Sequence, residues 1–148
     1  MLFAAIAQQR PKAVFLGGDL TPSGLMHSCV HGREFQHFIA DYLALNFQRL
    51  KANMGLEYPE VFLILGNDDT RSEESAIAIG ESQFLWKYAH GRKFDWEGYT
   101  IFGYAYVPPS PFLLKDWERY DVSRYVDPGC VSPEEGMRSV PISPDEQR

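Results

Sequence analysis

An α/β fold with a parallel βαβ core and flanking helices is predicted by two all-apolar runs and the amphipathic stretch between them. Ala13-Val14-Phe15-Leu16 and Val61-Phe62-Leu63-Ile64-Leu65 are continuous rather than alternating, as expected of strands buried on both faces of a parallel sheet. Between them, from Arg33 to Met54, the residues Phe35, Phe38, Ile39, Tyr42, Leu43, Leu45, Phe47 and Leu50 recur about every three to four positions. That stripe predicts one long helix, ended by Gly55, and completes a strand-helix-strand unit.

The remaining elements follow in order. Leu2 to Gln9 suits a helix that Pro11 helps terminate before the first strand. Tyr58-Pro59 turns the chain into the second strand. Ser72-Glu73-Glu74-Ser75 reads as the cap and first turn of a short helix, and Phe84 to Tyr88 as another. Arg92 to Asp95, the Trp96-Glu97-Gly98 turn and Tyr99 to Tyr104 read as a β-hairpin. Pro108-Pro109-Ser110-Pro111 then forces extended geometry. From Val126 to Arg148 the chain carries Pro128, Pro133, Pro141 and Pro144 among many charges, the composition of a poorly ordered loop or linker. Residues 1–125 are therefore expected to form the domain and 126–148 a linker, with no internal repeat.

Composition narrows the partners. With 148 residues, 45% apolar and 14% aromatic, the chain holds enough apolar material for one core and too little for two domains. A net charge of -6 disfavours a surface that neutralises many phosphates, so no nucleic acid is expected as a partner. Cys29 and Cys130 lie far apart with no CxxC spacing and read as free thiols. The apolar run Met1 to Ala7 is far short of the ~20 residues that span a bilayer, so a soluble cytoplasmic protein is the expectation, with no membrane partner.

The chemistry is carried by two turns, each ending an apolar run: Gly17-Gly18-Asp19 and Gly66-Asn67-Asp68-Asp69. A buried strand that stops at glycine and then presents carboxylate and carboxamide oxygens suits a hard cation held where a substrate can reach it. Metal-assisted hydrolysis is the chemistry this suggests. Taken singly, Gly-Asp and Asn-Asp are ordinary turn sequences.

In order and spacing, Gly18-Asp19 and Gly66-Asn67-Asp68-Asp69 resemble the second and third motifs of the calcineurin-like metallophosphoesterases, over about the first two thirds of the chain. Gly103-Tyr104, Pro108-Pro109-Ser110-Pro111-Phe112 and Lys115-Asp116-Trp117-Glu118 look like an uncharacterised bacterial branch of that family. The resemblance implies part of a metallophosphoesterase-like layered sheet and two divalent metal ions, whether manganese, iron, zinc or magnesium. It also implies a small phosphate-ester substrate, mono- or diester, attacked by a metal-activated water. Asp19 would bridge the metals, Asn67 would add a neutral oxygen, and Asp69 would ligate metal or support Asn67 from behind.

Departures from the family pattern accompany the matches. Asp68 stands where the family carries the histidine that stabilises the transition state or protonates the leaving oxygen. Beside divalent cations a carboxyl group is expected to be ionised, hence a poor proton donor, leaving Asp68 to ligate metal, orient water or contact the substrate. No Asp-x-His precedes Asp19 and no histidine follows His90. The chain is accordingly expected to be a piece of a longer enzyme, marginally stable alone, or else a degenerate member used for binding or regulation.

Other residues compete with these. His27, Cys29, His31 and His37 invite a zinc reading, but no second pair follows at zinc-finger spacing, and a loop with incidental histidines is the ordinary alternative. His90 is either the family's middle histidine or a surface turn. Trp86, Tyr99, Phe102, Tyr104 and Tyr106 are expected in the core. Lys115, Asp116, Glu118 and Arg119 are expected on a solvated face. Arg71 either approaches a phosphate or pairs with Glu74 three residues on. A Rossmann-type nucleotide site is disfavoured, because Gly17-Gly18-Asp19-Leu20-Thr21-Pro22 puts a carboxylate where bare amides are needed and does not fit GxGxxG.

Overall fold

The computed structural model describes residues 2–22, 28–30, 33–35 and 37–142, with backbone alone for 28–30 and 33–35. The zinc reading at His27 and His31 lies outside these residues, as does the side chain of Cys29. The architecture is mixed α/β around a three-stranded parallel sheet. Helix α1 (Leu2–Gln9) leads into β1 (Ala13–Gly17), and a short antiparallel pair, β2 (Ser28–Val30) and β3 (Arg33–Phe35), precedes the long helical stretch. That stretch is π-helical over Ile39–Ala44 and continues as α2 (Leu45–Met54) into a 3-10 turn, Gly55–Glu57. Strand β4 (Glu60–Ile64) follows, then a 3-10 turn at Arg71–Glu73 running into α3 (Glu74–Ser82), then β5 (Lys87–Tyr88) and the hairpin of β6 (Lys93–Trp96) and β7 (Tyr99–Phe102). No helix among the described residues is long and apolar enough to cross a membrane.

Three elements depart from expectation. The helix predicted from Arg33 starts later, because three of its residues pair with Ser28–Val30 as a strand. Its first turns are widened to π-helix, which keeps Ile39, Leu43 and Ala44 on the same buried side as Phe47 and Leu50 despite the uneven spacing of these residues. The second short helix expected at Phe84 to Tyr88 is instead a turn and a strand. Phe84 takes a φ of 58°, which breaks helical geometry, and Lys87 and Tyr88 add to the sheet beside β4.

The strands sit in the order β1-β4-β5, with Ala13 opposite Glu60 and Gly17 opposite Ile64. Alternate side chains serve two faces. On one, Val14, Leu16, Val61 and Leu63 join Ile6, Ile39, Leu43, Phe47, Leu50, Ile77 and Trp86, so the helices cover that side. On the other, Phe15 stacks on Phe62, whose ring meets Phe94 of the hairpin, while the Lys87 ammonium lies over both Phe62 and Phe94. The sheet therefore delivers the three segments at its carboxyl end, after β1, β4 and β5, to one rim.

Downstream of the hairpin the described residues, up to 142, form no helix or longer strand, yet they are tied down. Val107 and Glu118 form a bridge, as do Leu114 and Met137, and Pro133 is buried. Arg138 donates to the Lys115 carbonyl, and the Ser139 amide to Asp116.

Candidate metal-binding rim

Two turns meet at the rim because neither has a side chain in the way. Gly18 adopts a φ of +103°, and a Cβ there would lie 2.5 Å from the Gly66 Cα; a Cβ on Gly66 would lie 2.3 Å from Asp19 Oδ1. Asp19 takes a φ of 51°, a left-handed conformation that Asp and Asn tolerate better than most residues. Its Oδ1 accepts the Asp68 amide at 3.2 Å, so Asp19 and the Asn67-Asp68-Asp69 turn are neighbours across the β1–β4 pair.

Asp69 fastens the two turns together. Fully buried, it accepts the amides of Leu20 (3.0 Å) and Gly66 (2.8 Å) on Oδ2, and the amide and hydroxyl of Thr21, both at 2.7 Å, on Oδ1. A carboxylate has about four lone-pair positions, and here four protein donors fill them. Asp69 thus ties the Leu20-Thr21 segment to Gly66 with all four positions in use, and none of these bonds reaches Asn67. Asn67 and Asp68 are half-buried and, among the described residues, their side chains make no protein hydrogen bond. Asp19, Asn67 and Asp68 thus offer hard oxygen donors on one rim, in keeping with a cation such as magnesium or manganese. They are fewer than a full shell, and among the described residues no group of three or more His, Cys, Asp and Glu side chains is arranged to hold a metal ion.

Behind the rim lies a buried polar layer that the sequence did not announce. Trp117, fully buried, donates its indole N–H to the Asp69 carbonyl at 2.9 Å. Asp116 accepts the Arg71 amide at 2.7 Å and the amide of Ser139 at 2.9 Å. Lys115 and Glu118 form an ion pair with no exposed side-chain surface, and Ser110 satisfies both: its carbonyl accepts from Lys115 at 2.9 Å and its amide donates to Glu118 at 2.8 Å. The solvated face expected for Lys115, Asp116 and Glu118 is therefore corrected. Desolvation is tolerated because every charge is met by a partner, some close in sequence and others from the Ser110 and Ser139 segments. A run of charges flanking one tryptophan carries no local signal of this burial.

His90, expected as either the family's middle histidine or a surface turn, lies just past β5 and so belongs to the same edge of the sheet as the two turns. Its Nδ1 accepts the Ala105 amide at 3.1 Å, and its ring stands edge-on to Tyr106 and Trp117. A neutral ring with Nδ1 as acceptor carries its proton on Nε2 and has no lone pair left for a metal. Burial pushes its pKa below the ordinary 6.5, with Glu74 opposing and Arg71 and Arg119 reinforcing the shift.

The other candidates divide. Arg71 pairs with Glu74 at 3.1 Å, three residues on, and its guanidinium lies 5.7 Å from the Trp117 ring. Arg119 stacks on Tyr106 at 3.6 Å. His37 is exposed beside Asp41, whose carboxylate accepts its amide at 3.3 Å. Of the aromatics expected inside, Trp86 is buried and Tyr106 partly so, whereas Tyr99 and Phe102 of β7, and Tyr104 just beyond it, are exposed. Cys130 is a free thiol. No protein-family model, curated protein or solved structure matches the chain.

Proposed function

We propose that this chain carries the Asp19/Asn67 portion of a metal-dependent phosphoesterase site, hydrolysing a phosphate mono- or diester, on a layered sheet of metallophosphoesterase type. The observation that supports it is the contact of two oxygen-bearing turns at the carboxyl ends of hydrogen-bonded parallel strands, with Asp19 Oδ1 on the Asp68 amide. Asp19 and Asn67 would hold divalent cations, two in the full site, and Asp68 would face the same place. A divalent cation bound there supplies Lewis-acid polarisation of a phosphoryl oxygen. The chain's own residues do the positioning: Asp69 locks both turns through its four hydrogen bonds, and Trp117 anchors the Asp69 carbonyl from behind. As a carboxylate, Asp68 serves as a hydrogen-bond acceptor for an attacking water and not as the acid for the leaving oxygen.

The test is manganese binding followed by calorimetry or electron paramagnetic resonance, alongside hydrolysis of an aryl phosphate and a diaryl phosphate. Asp19→Asn keeps a residue that tolerates the left-handed turn and removes the charge. It is expected to weaken binding by at least about tenfold and to abolish any turnover. Equal binding by both proteins would overturn the assignment. A second reading, a non-catalytic binding or regulatory relative, is favoured by the full occupancy of Asp69 and the carboxylate at position 68. It predicts metal binding that depends on Asp19 with no hydrolysis of either ester.

A further inference from the structure

Arg119 is half-buried and held in place: its guanidinium lies over the Tyr106 ring at 3.6 Å and donates to the Tyr106 hydroxyl. Among the described residues no carboxylate pairs with it, although the chain carries 20 acidic residues against 14 lysines and arginines. The carboxylates of this layer are spent elsewhere. Glu118, its neighbour in sequence, is taken by Lys115 and Ser110, Asp116 by the amides of Arg71 and Ser139, and Glu74 by Arg71 and the Tyr88 hydroxyl. A second donor stands on the same ring. His90 meets Tyr106 at 4.9 Å, and with Nδ1 accepting the Ala105 amide its proton sits on Nε2, for which the described residues supply no acceptor.

We infer that Arg119 and His90 form a binding site for a tetrahedral oxyanion, a phosphoryl group, at the edge of the sheet past β5. A guanidinium fork and a ring N–H set against one tyrosine suit an anion whose oxygens accept charge-assisted hydrogen bonds of about 2.7–2.9 Å in several directions. The charges of Arg71 and Arg119 both reach the His90 ring, and the carboxylate that opposes them there, Glu74, is already bound to Arg71. Stacking and hydrogen bonding fix both donors beforehand, so little side-chain freedom is lost when the anion arrives. The site lies one tryptophan away from the two turns, since the Trp117 ring meets Tyr106 at 5.8 Å and its indole N–H holds the Asp69 carbonyl. No metal takes part, so it stands or falls apart from the cation site proposed above.

The test is titration of inorganic phosphate into the full 148-residue chain at neutral pH with a chelator present, followed by calorimetry and by the imidazole nitrogen resonances of His90. Saturable binding is expected. Arg119→Gln, which keeps a donor for the Tyr106 hydroxyl, should weaken it at least about tenfold, and Arg119→Lys, which keeps the charge and loses the fork, by less. Arg49→Gln, on the exposed side of α2, should leave it unchanged. In the unaltered chain, bound phosphate should raise the His90 pKa, because a dianion beside the ring favours the imidazolium, a readout that relies on no variant. Tighter binding of phenyl phosphate than of inorganic phosphate assigns the phosphoryl group to an organic ester, and the reverse order assigns it to free phosphate. Absence of saturable binding, equal affinity in Arg119→Gln, or binding that leaves the His90 titration unmoved would each overturn the inference.

Discussion

A carboxylate buried among four donors behaves differently from one on a surface, and Asp69 is the residue where the difference is largest. Removing it strands the amides of Leu20, Thr21 and Gly66 in a half-buried setting. Asp69→Ala is expected to cost about 2–4 kcal/mol, read as a fall of roughly 5 to 15 °C in the thermal midpoint. Asp68→Ala, which breaks no side-chain hydrogen bond, should leave the midpoint nearly unmoved. The Lys115–Glu118 pair obeys a related asymmetry. Glu118→Ala leaves an uncompensated buried ammonium and should cost about 3–5 kcal/mol in urea unfolding, while replacing both charges at once, Lys115→Met together with Glu118→Leu, should recover most of it. His90 sets a pH dependence. Its folded pKa lies below the unfolded 6.5, so the unfolded chain binds the proton more readily. The stability it contributes is present above pH 6.5 and is lost as pH falls through the folded pKa. A plot of thermal midpoint against pH should be flatter over that acid window in His90→Gln than in the unaltered chain.

At the scale of elements, helix α3 shows how distant residues decide what local propensity leaves open. Its first turn begins without a local side-chain cap, and Asp116, from far along the chain, accepts the Arg71 amide in its place, while Ser139 Oγ accepts the amide of Ser72. Both place oxygen at the positive end of the helix. Further along, Gly80 lies against Trp86: a Cβ there would fall 2.0 Å from a ring carbon, and the indole N–H is tied to the Ile77 carbonyl at 2.9 Å. Gly80→Ala gains about 1 kcal/mol of helix propensity but overpacks a ring that cannot withdraw, a penalty of about 1–3 kcal/mol or more. Net destabilisation is expected, with a changed near-ultraviolet dichroism from Trp86. A stabilised variant would show that α3 has room the structure does not contain.

For the whole molecule, the proposed cation site would link binding to folding through the rim. A cation that binds only the folded chain should stabilise it by about 2.7 kcal/mol at a free concentration about one hundred times its Kd, an increment that chelation reverses and Asp19→Asn removes. The sequence alone determined the parallel β1–β4 pair, the helix between them and the adjacency of the Asp19 and Asn67 turns, because continuous apolar runs and glycine turns act within a few residues of themselves. Even the pairing of Arg71 with Glu74 was legible, being one helical turn long. Only the tertiary structure decided which carboxylates are available. Asp69 is consumed by donors that mostly lie far earlier in the chain, at Leu20 and Thr21, and Asp116, Lys115 and Glu118 are drawn inside by Ser139, Arg71 and Ser110. Whether a charge stays in water is set by partners that meet it in space, and a run such as Lys115-Asp116-Trp117-Glu118 reads the same on a surface as in an interior.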